Sequence, residues 1–155
     1  MSPQNFIFIG RAGCGKGTQA QLLMDYVKKN DTHKREIFYL ETGQRFRDFI
    51  KSDSYSAKLS AEIYKIDKRQ PDFLAVWMWS HLFIENLKGG EHIFMDGVGR
   101  SLPEASMLET VVDFYNLDKP FVVYIDVSRK WSEKHLLSRG RSDDANLEKI
   151  DRRLN

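Results

Sequence analysis

Phe6-Ile7-Phe8-Ile9-Gly10-Arg11-Ala12-Gly13-Cys14-Gly15-Lys16-Gly17-Thr18 is the stretch that decides the fold. The unbroken apolar run from Phe6 to Ile9, closed at once by glycine, reads as a short strand buried on both faces. From Gly15 to about Lys29, Ala20, Leu22, Leu23, Tyr26 and Val27 supply the apolar face of a helix, and Asn30-Asp31 supplies its stop. A glycine-rich loop ending in lysine, set between a buried strand and a helix, is the context of a phosphate-binding loop. Its glycines let backbone N–H groups turn inward around phosphate oxygens. The helix N-terminus adds a favourable dipole, and Lys16 can neutralise charge on the β and γ phosphates. The plain alternative is a glycine-rich turn with a solvent-facing lysine, which this spacing and context disfavour.

Further along, Ile37 to Leu40, His92 to Met95 and Phe121 to Ile125 read as strands. The spacing predicts helices over about 44–50, 56–66, 71–87, 103–115 and 129–138. Strands alternating with helices imply a parallel sheet covered on both faces, with ligands at the carboxyl ends of the strands. The stretch 44–88 is long for one crossover and reads as a helical excursion able to move over a substrate, or as plain helical decoration. A chain of 155 residues, 41% of them hydrophobic, suits one domain with a real core. With 24 basic and 22 acidic residues the formal charge is +2, so no broad field points to nucleic acid or to a membrane surface. The lone cysteine excludes an internal disulfide and a multi-cysteine zinc site. No targeting segment is evident near the start, and the expected location is cytoplasmic.

The generic phosphate loop carries Ser or Thr directly after its lysine, whereas here Gly17 intervenes before Thr18. Gly15-Lys16-Gly17-Thr18-Gln19 resembles the adenylate kinase form of the loop. Asp96-Gly97-Val98-Gly99-Arg100 resembles that family's Asp-Gly-Phe-Pro-Arg segment with its central two residues changed. Glu41-Thr42-Gly43-Gln44-Arg45-Phe46-Arg47 is similar to the family's Ser-Thr-Gly-Asp-x-x-Arg, which belongs to the monophosphate site. Arg139-Gly140-Arg141-Ser142-Asp143-Asp144, followed by Arg153-Leu154, is similar to the lid and returning helix of short-lid members.

This resemblance implies a three-layer α/β/α P-loop kinase fold with a parallel sheet, a helical monophosphate-binding insertion and a short lid. The core would comprise 1–43 and 89–138, the insertion about 44–88 and the lid about 139–145. It implies phosphoryl transfer from ATP to a nucleoside monophosphate with Mg²⁺. AMP is the expected acceptor, with GMP, CMP or UMP as alternatives; a nucleotide-binding protein with weak or no turnover is a further alternative. Gly13, Cys14, Gly15, Lys16, Gly17 and Thr18 would bind ATP. Thr42, Gly43, Arg47, Gly97, Arg100 and Glu104 would bind the monophosphate, and Asp96 would hold the metal through water. Lys16, Arg100, Arg139, Arg141 and Arg153 would be catalytic, because phosphoryl transfer spreads negative charge over equatorial oxygens that cations can stabilise. Structural readings stand beside these: a turn-forming acid for Asp96, a surface ion pair for Arg100, a helix cap for Thr42, a first-turn acid for Glu104 and a pocket-filling thiol for Cys14.

The chain departs from the family pattern at Gln44, at Gly99, at His135 (where the family often has arginine) and at Glu104 (where it usually has glutamine). An ionised glutamate only accepts hydrogen bonds, which suits the N1–H and exocyclic amine of guanine better than adenine. Family members continue beyond the Arg-Leu step with a last strand and helix. A truncated C-terminus is therefore expected, with weakened ATP binding and, in a chain otherwise expected to be a monomer, self-association through exposed apolar surface. A kinase for a small hydroxylated metabolite lacks an evident base and leaves Arg47 and Arg100 unexplained. A nucleic-acid binder lacks a basic stripe with interleaved aromatics.

Overall fold

The computed structural model describes residues 1–141 and 147–154. Along the chain run β1 (Asn5–Ile9), α1 (Lys16–Asn30), β2 (Ile37–Glu41), α2 (Thr42–Phe49), α3 (Tyr55–Lys65), α4 (Asp72–Asn86), β3 (His92–Asp96), α5 (Leu102–Phe114), β4 (Phe121–Tyr124), α6 (Arg129–Ser138) and α7 (Leu147–Leu154). The strands form one parallel sheet in the order β2-β3-β1-β4. The lid expected over about 139–145 lies mostly outside the described residues.

Alternation along the strands explains why both sheet faces are covered. On one face Ile7, Leu40, Ile93 and Met95 pack with Trp79, Leu82 and Phe83 of α4 and Leu108 of α5. On the other, Phe8 and Phe94 pack with Ala20, Met24 and Val27 of α1, with Phe6 partly buried alongside. Phe94 stands between two strand neighbours, its ring centroid 4.9 Å from Phe6 and 6.3 Å from Phe8. β3 is buried at every position, as a central strand of a doubly covered sheet must be. Within the stretch 44–88, α4 belongs to the layer on the sheet, and its Trp79 is fully buried. At the β4 edge, Phe121, Val122 and Tyr124 are exposed.

Caps set several helix starts. Ser54, Ser101 and Ser128 each accept a backbone N–H from the first turn of α3, α5 and α6. α2 begins at Thr42, two residues before the expected start. Thr42 does not cap it: its hydroxyl instead donates to the carbonyl of Gly97 at 2.9 Å, tying the start of α2 to the turn after β3. α1 begins behind Gly15, in left-handed backbone and without a side-chain cap, so no side chain competes for its first N–H groups. Among the described residues no helix is long and apolar enough to cross a membrane.

At the opposite end of the sheet from these loops, a buried polar network clamps the strand starts. Asp31 accepts from the backbone N–H of Arg35 at 2.8 Å and from its guanidinium at 2.9 Å. His92 Nδ1 accepts the N–H of Gln4 at 3.0 Å, which leaves Nε2 to carry the proton toward Asp31 at 3.3 Å. The Arg35 N–H, followed by His92, holds the Asp31 carboxyl well below the usual carboxylate range against the cost of burial. A depressed carboxyl stabilises the fold above its unfolded value near 3.8 and loses that contribution as pH falls toward the folded value. Asp31→Asn should therefore melt lower than wild type at pH 7, with the gap closing below about pH 4; thermal melts from pH 2 to 7 check this, and a pH-independent gap would refute it.

Candidate active site

The carboxyl ends of β1, β2 and β3, with α6 and α7, surround a cleft of about 1060 Å³. The parallel register sets Phe8 of β1 opposite Asp96 and Glu41 of β2 opposite Asp96, so the phosphate loop, the Glu41-Thr42 corner and the Asp96-Gly97 turn stand side by side. Lys16 folds back on its own loop, donating to the carbonyls of Gly10 at 2.8 Å and Arg11 at 3.0 Å. Gly13 has a backbone φ of +75°, and a Cβ on it would lie 2.6 Å from Leu136 Cγ and 2.8 Å from the Ser132 carbonyl. The loop thus packs directly on α6, and only glycine fits there. Cys14 is buried, with its sulfur filling the space against Gly10, as the packing alternative expects.

Gly97 is the tightest point of the site. Its φ is +87°, and a Cβ would come within 2.4 Å of Thr42 Oγ1 and 2.6 Å of Arg100 Nη2. The missing side chain makes room for the hydroxyl that joins β2 to β3 and for the guanidinium of Arg100 at the cleft wall. Asp96 lies at the base, its Oδ2 3.9 Å from where a Cβ on Gly17 would stand. Burial pushes its carboxyl above the usual carboxylate range; Lys16 and then Arg100 pull it back, and Glu41 pushes it further up. Tyr39, half-buried in the same wall, is held well above the ordinary phenol value by burial and by the carboxylates of Asp96 and Glu41.

Every residue assigned a site role in the sequence lines this cleft except Cys14, which is buried beneath the loop. Arg139 at the end of α6, Arg141 beyond it and Arg153 of α7 line the same cleft as Lys16, Arg47 and Arg100. Glu104 is buried, accepting from Arg69 Nη1 and from the Arg100 backbone N–H, each at 3.4 Å. Its own N–H is capped by Ser101, so it is at once a first-turn acid and a cleft residue. Arg69 also pairs with Asp72, which accepts from Ser101 Oγ at 2.8 Å. His135 lines the cleft and stacks on Trp131 with ring centroids 5.0 Å apart. Tyr39, Glu41, Tyr64, Asp67 and Arg69 also line the cleft without having been singled out. Glu41 had a visible signal, standing directly before Thr42-Gly43; Tyr39 of β2, Tyr64 of α3 and Asp67 and Arg69 of the loop after α3 have no motif around them.

A family model described as an AAA domain matches residues 9–151. The adenylate kinase of Azobacteroides pseudotrichonymphae is 31% identical over 97% of this chain and 75% of its own length. That of Porphyromonas gingivalis is 30% identical over 97% of the chain and 74% of its own length. That of Parabacteroides distasonis is 28% identical over 97% and 76%. Sheet, phosphate loop and these similarities define a P-loop phosphotransferase of the nucleoside monophosphate kinase class. More narrowly, the chain belongs to the adenylate kinase family.

Two substitutions probe this geometry. Gly97→Ala forces a Cβ onto Thr42 and Arg100 in left-handed backbone, and should cost on the order of 1–3 kcal/mol of stability; a denaturant titration matching wild type would contradict the packing described. The raised Asp96 carboxyl favours the fold below its unfolded value near 3.8 and loses that contribution as pH rises through its higher folded value. Asp96→Asn should accordingly melt at or above wild type at pH 7, and a lower melting temperature there would refute this account.

Proposed function

We propose that this chain transfers the γ-phosphoryl group of ATP to AMP in a Mg²⁺-dependent reaction, ATP + AMP = 2 ADP. The observation that carries the reading is the convergence of Lys16, Arg47, Arg100, Arg139, Arg141 and Arg153 on one cleft at the mouth of a phosphate loop. Adenine as the acceptor base rests on the names of the relatives.

In this reading Lys16 exchanges the Gly10 and Arg11 carbonyls for the donor's β and γ phosphates, which the loop N–H groups also hold. Arg47 and Arg100, which come from different elements, grip the acceptor phosphate and leave its oxygen in line with the γ-phosphorus. Arg139, Arg141 and Arg153 neutralise the charge that spreads over the equatorial oxygens during transfer and displace water from them. No covalent intermediate forms and no general base is demanded. Asp96, a buried carboxylate beside the loop, would hold a magnesium ion through the ion's waters, and the ion would supply positive charge against the phosphates.

A second acceptor is favoured by Glu104 with Arg69. Together they offer an acceptor and a donor beside each other at the cleft wall, which complements the N1–H and O6 of a 6-oxopurine such as guanine. Coupled turnover of ATP with AMP, GMP, CMP and UMP separately decides between the bases. Lys16→Ala and Arg100→Ala should each lower kcat/KM at least a hundredfold, on the order of removing one charge-stabilising donor, while leaving the circular dichroism spectrum unchanged. Near-wild-type transfer in either variant would end the assignment, and measurable nucleotide binding without transfer to any monophosphate would leave a binding protein.

A further inference from the structure

Arg47 already has partners on Nε and Nη2. Glu41, the last residue of β2, turns its carboxylate onto it, and Arg47 Nη2 donates to Glu41 Oε1 at 3.2 Å. Gln44 Oε1 accepts from Arg47 Nε at 3.1 Å and from Nη2 at 2.8 Å. The Gln44 amide is itself oriented by Asp48, to which its nitrogen donates at 3.1 and 3.2 Å. Gly43 lies under the pair: a Cβ there would stand 3.4 Å from Arg47 Nη1 and 3.5 Å from Glu41 Oε1. Both charged side chains face the cleft, and that of Glu41 remains 32% exposed.

A carboxylate on a guanidinium uses the same N–H donors that a phosphate uses. We propose that Glu41 is a resident competitor for the acceptor's phosphate: it holds Arg47 in the absence of substrate, is displaced when the monophosphate binds, and so sets the acceptor's affinity. The inference rests on the reading of Arg47 as a ligand of that phosphate. Gln44 alone keeps Nε and one Nη2 hydrogen bond, so Arg47 retains its position without Glu41. What the carboxylate adds is charge. That charge opposes an incoming dianion twice, by occupying the arginine and by standing beside Asp96, its partner across the β2–β3 register. A partly exposed ion pair contributes little to folding, so its main effect falls on the ligand that must replace it.

The test is steady-state kinetics and calorimetric AMP binding on the full chain, comparing wild type with Glu41→Gln and Glu41→Ala. The acceptor KM and the AMP dissociation constant should each fall roughly two- to fivefold, the size of a partly exposed ion pair, and by more than kcat or the KM for ATP moves. Gln44→Ala, which loosens Arg47, should shift the acceptor KM the other way. A supporting role for Glu41 predicts a higher acceptor KM in both of its variants, and an unchanged or higher value would overturn the proposal while wild-type turnover stood. If wild type neither binds nor phosphorylates any of the four monophosphates, the functional reading falls and this inference with it.

Discussion

Everything in the cleft depends on how β3 is paired. With β1 on one side and β2 on the other, in registers that set Asp96 opposite both Phe8 and Glu41, three loops are forced to leave the sheet at the same level. β3 is buried on both faces, so a slip of one residue would carry Ile93, Phe94 and Met95 to the wrong layers. The hydrophobic pattern that builds the core therefore also aligns the chemistry. Gly97 then completes the alignment, because the Thr42 hydroxyl can reach its carbonyl only where no side chain intervenes.

The cleft is a balance of opposed charges rather than a simple basic pocket. Lys16 rests on carbonyls, Arg47 on Glu41 and Gln44, and Arg69 on Glu104 and Asp72. These internal partners satisfy the cations without substrate, and in the proposed reaction phosphates take the places of those on Lys16 and Arg47. A site built this way is preorganised for polyanions, because its donors are already held near the positions they are to serve. Its cost is that binding becomes an exchange, so affinity reflects the difference between two sets of partners. Asp96 shows the same tension: it is buried at the base of the cleft, where burial disfavours its charge and Lys16 with Arg100 offsets only part of that cost.

Much of the fold was legible because its signals are local. The apolar run Phe6 to Ile9, the glycine loop and the alternation of strands with helices are properties of short windows, and each element read from them is present. Element ends were less legible. α2 starts at Thr42 because its hydroxyl is engaged across the sheet with Gly97, a partner 55 residues away that no local window contains. The polar clamp of Asp31, Arg35 and His92 was invisible for the same reason, as Asp31 and His92 belong to separate elements that meet only when β3 enters the sheet.

By itself, the sequence determined the parallel α/β architecture and the phosphate loop with Lys16, since hydrophobic period and glycine spacing are carried by neighbouring residues; the arginines that share the cleft were named through the resemblance to a family. Only the tertiary structure decided what those cations touch. Glu41 was passed over although it sits in a quoted motif, and Arg69 gained a place at the cleft wall through Glu104, 35 residues further on. Glu41 meets Arg47 at the local corner from β2 into α2, whereas Glu104 meets Arg69 only because α4 packs against α5, and side-chain pairing across such a contact leaves no periodic mark in the chain.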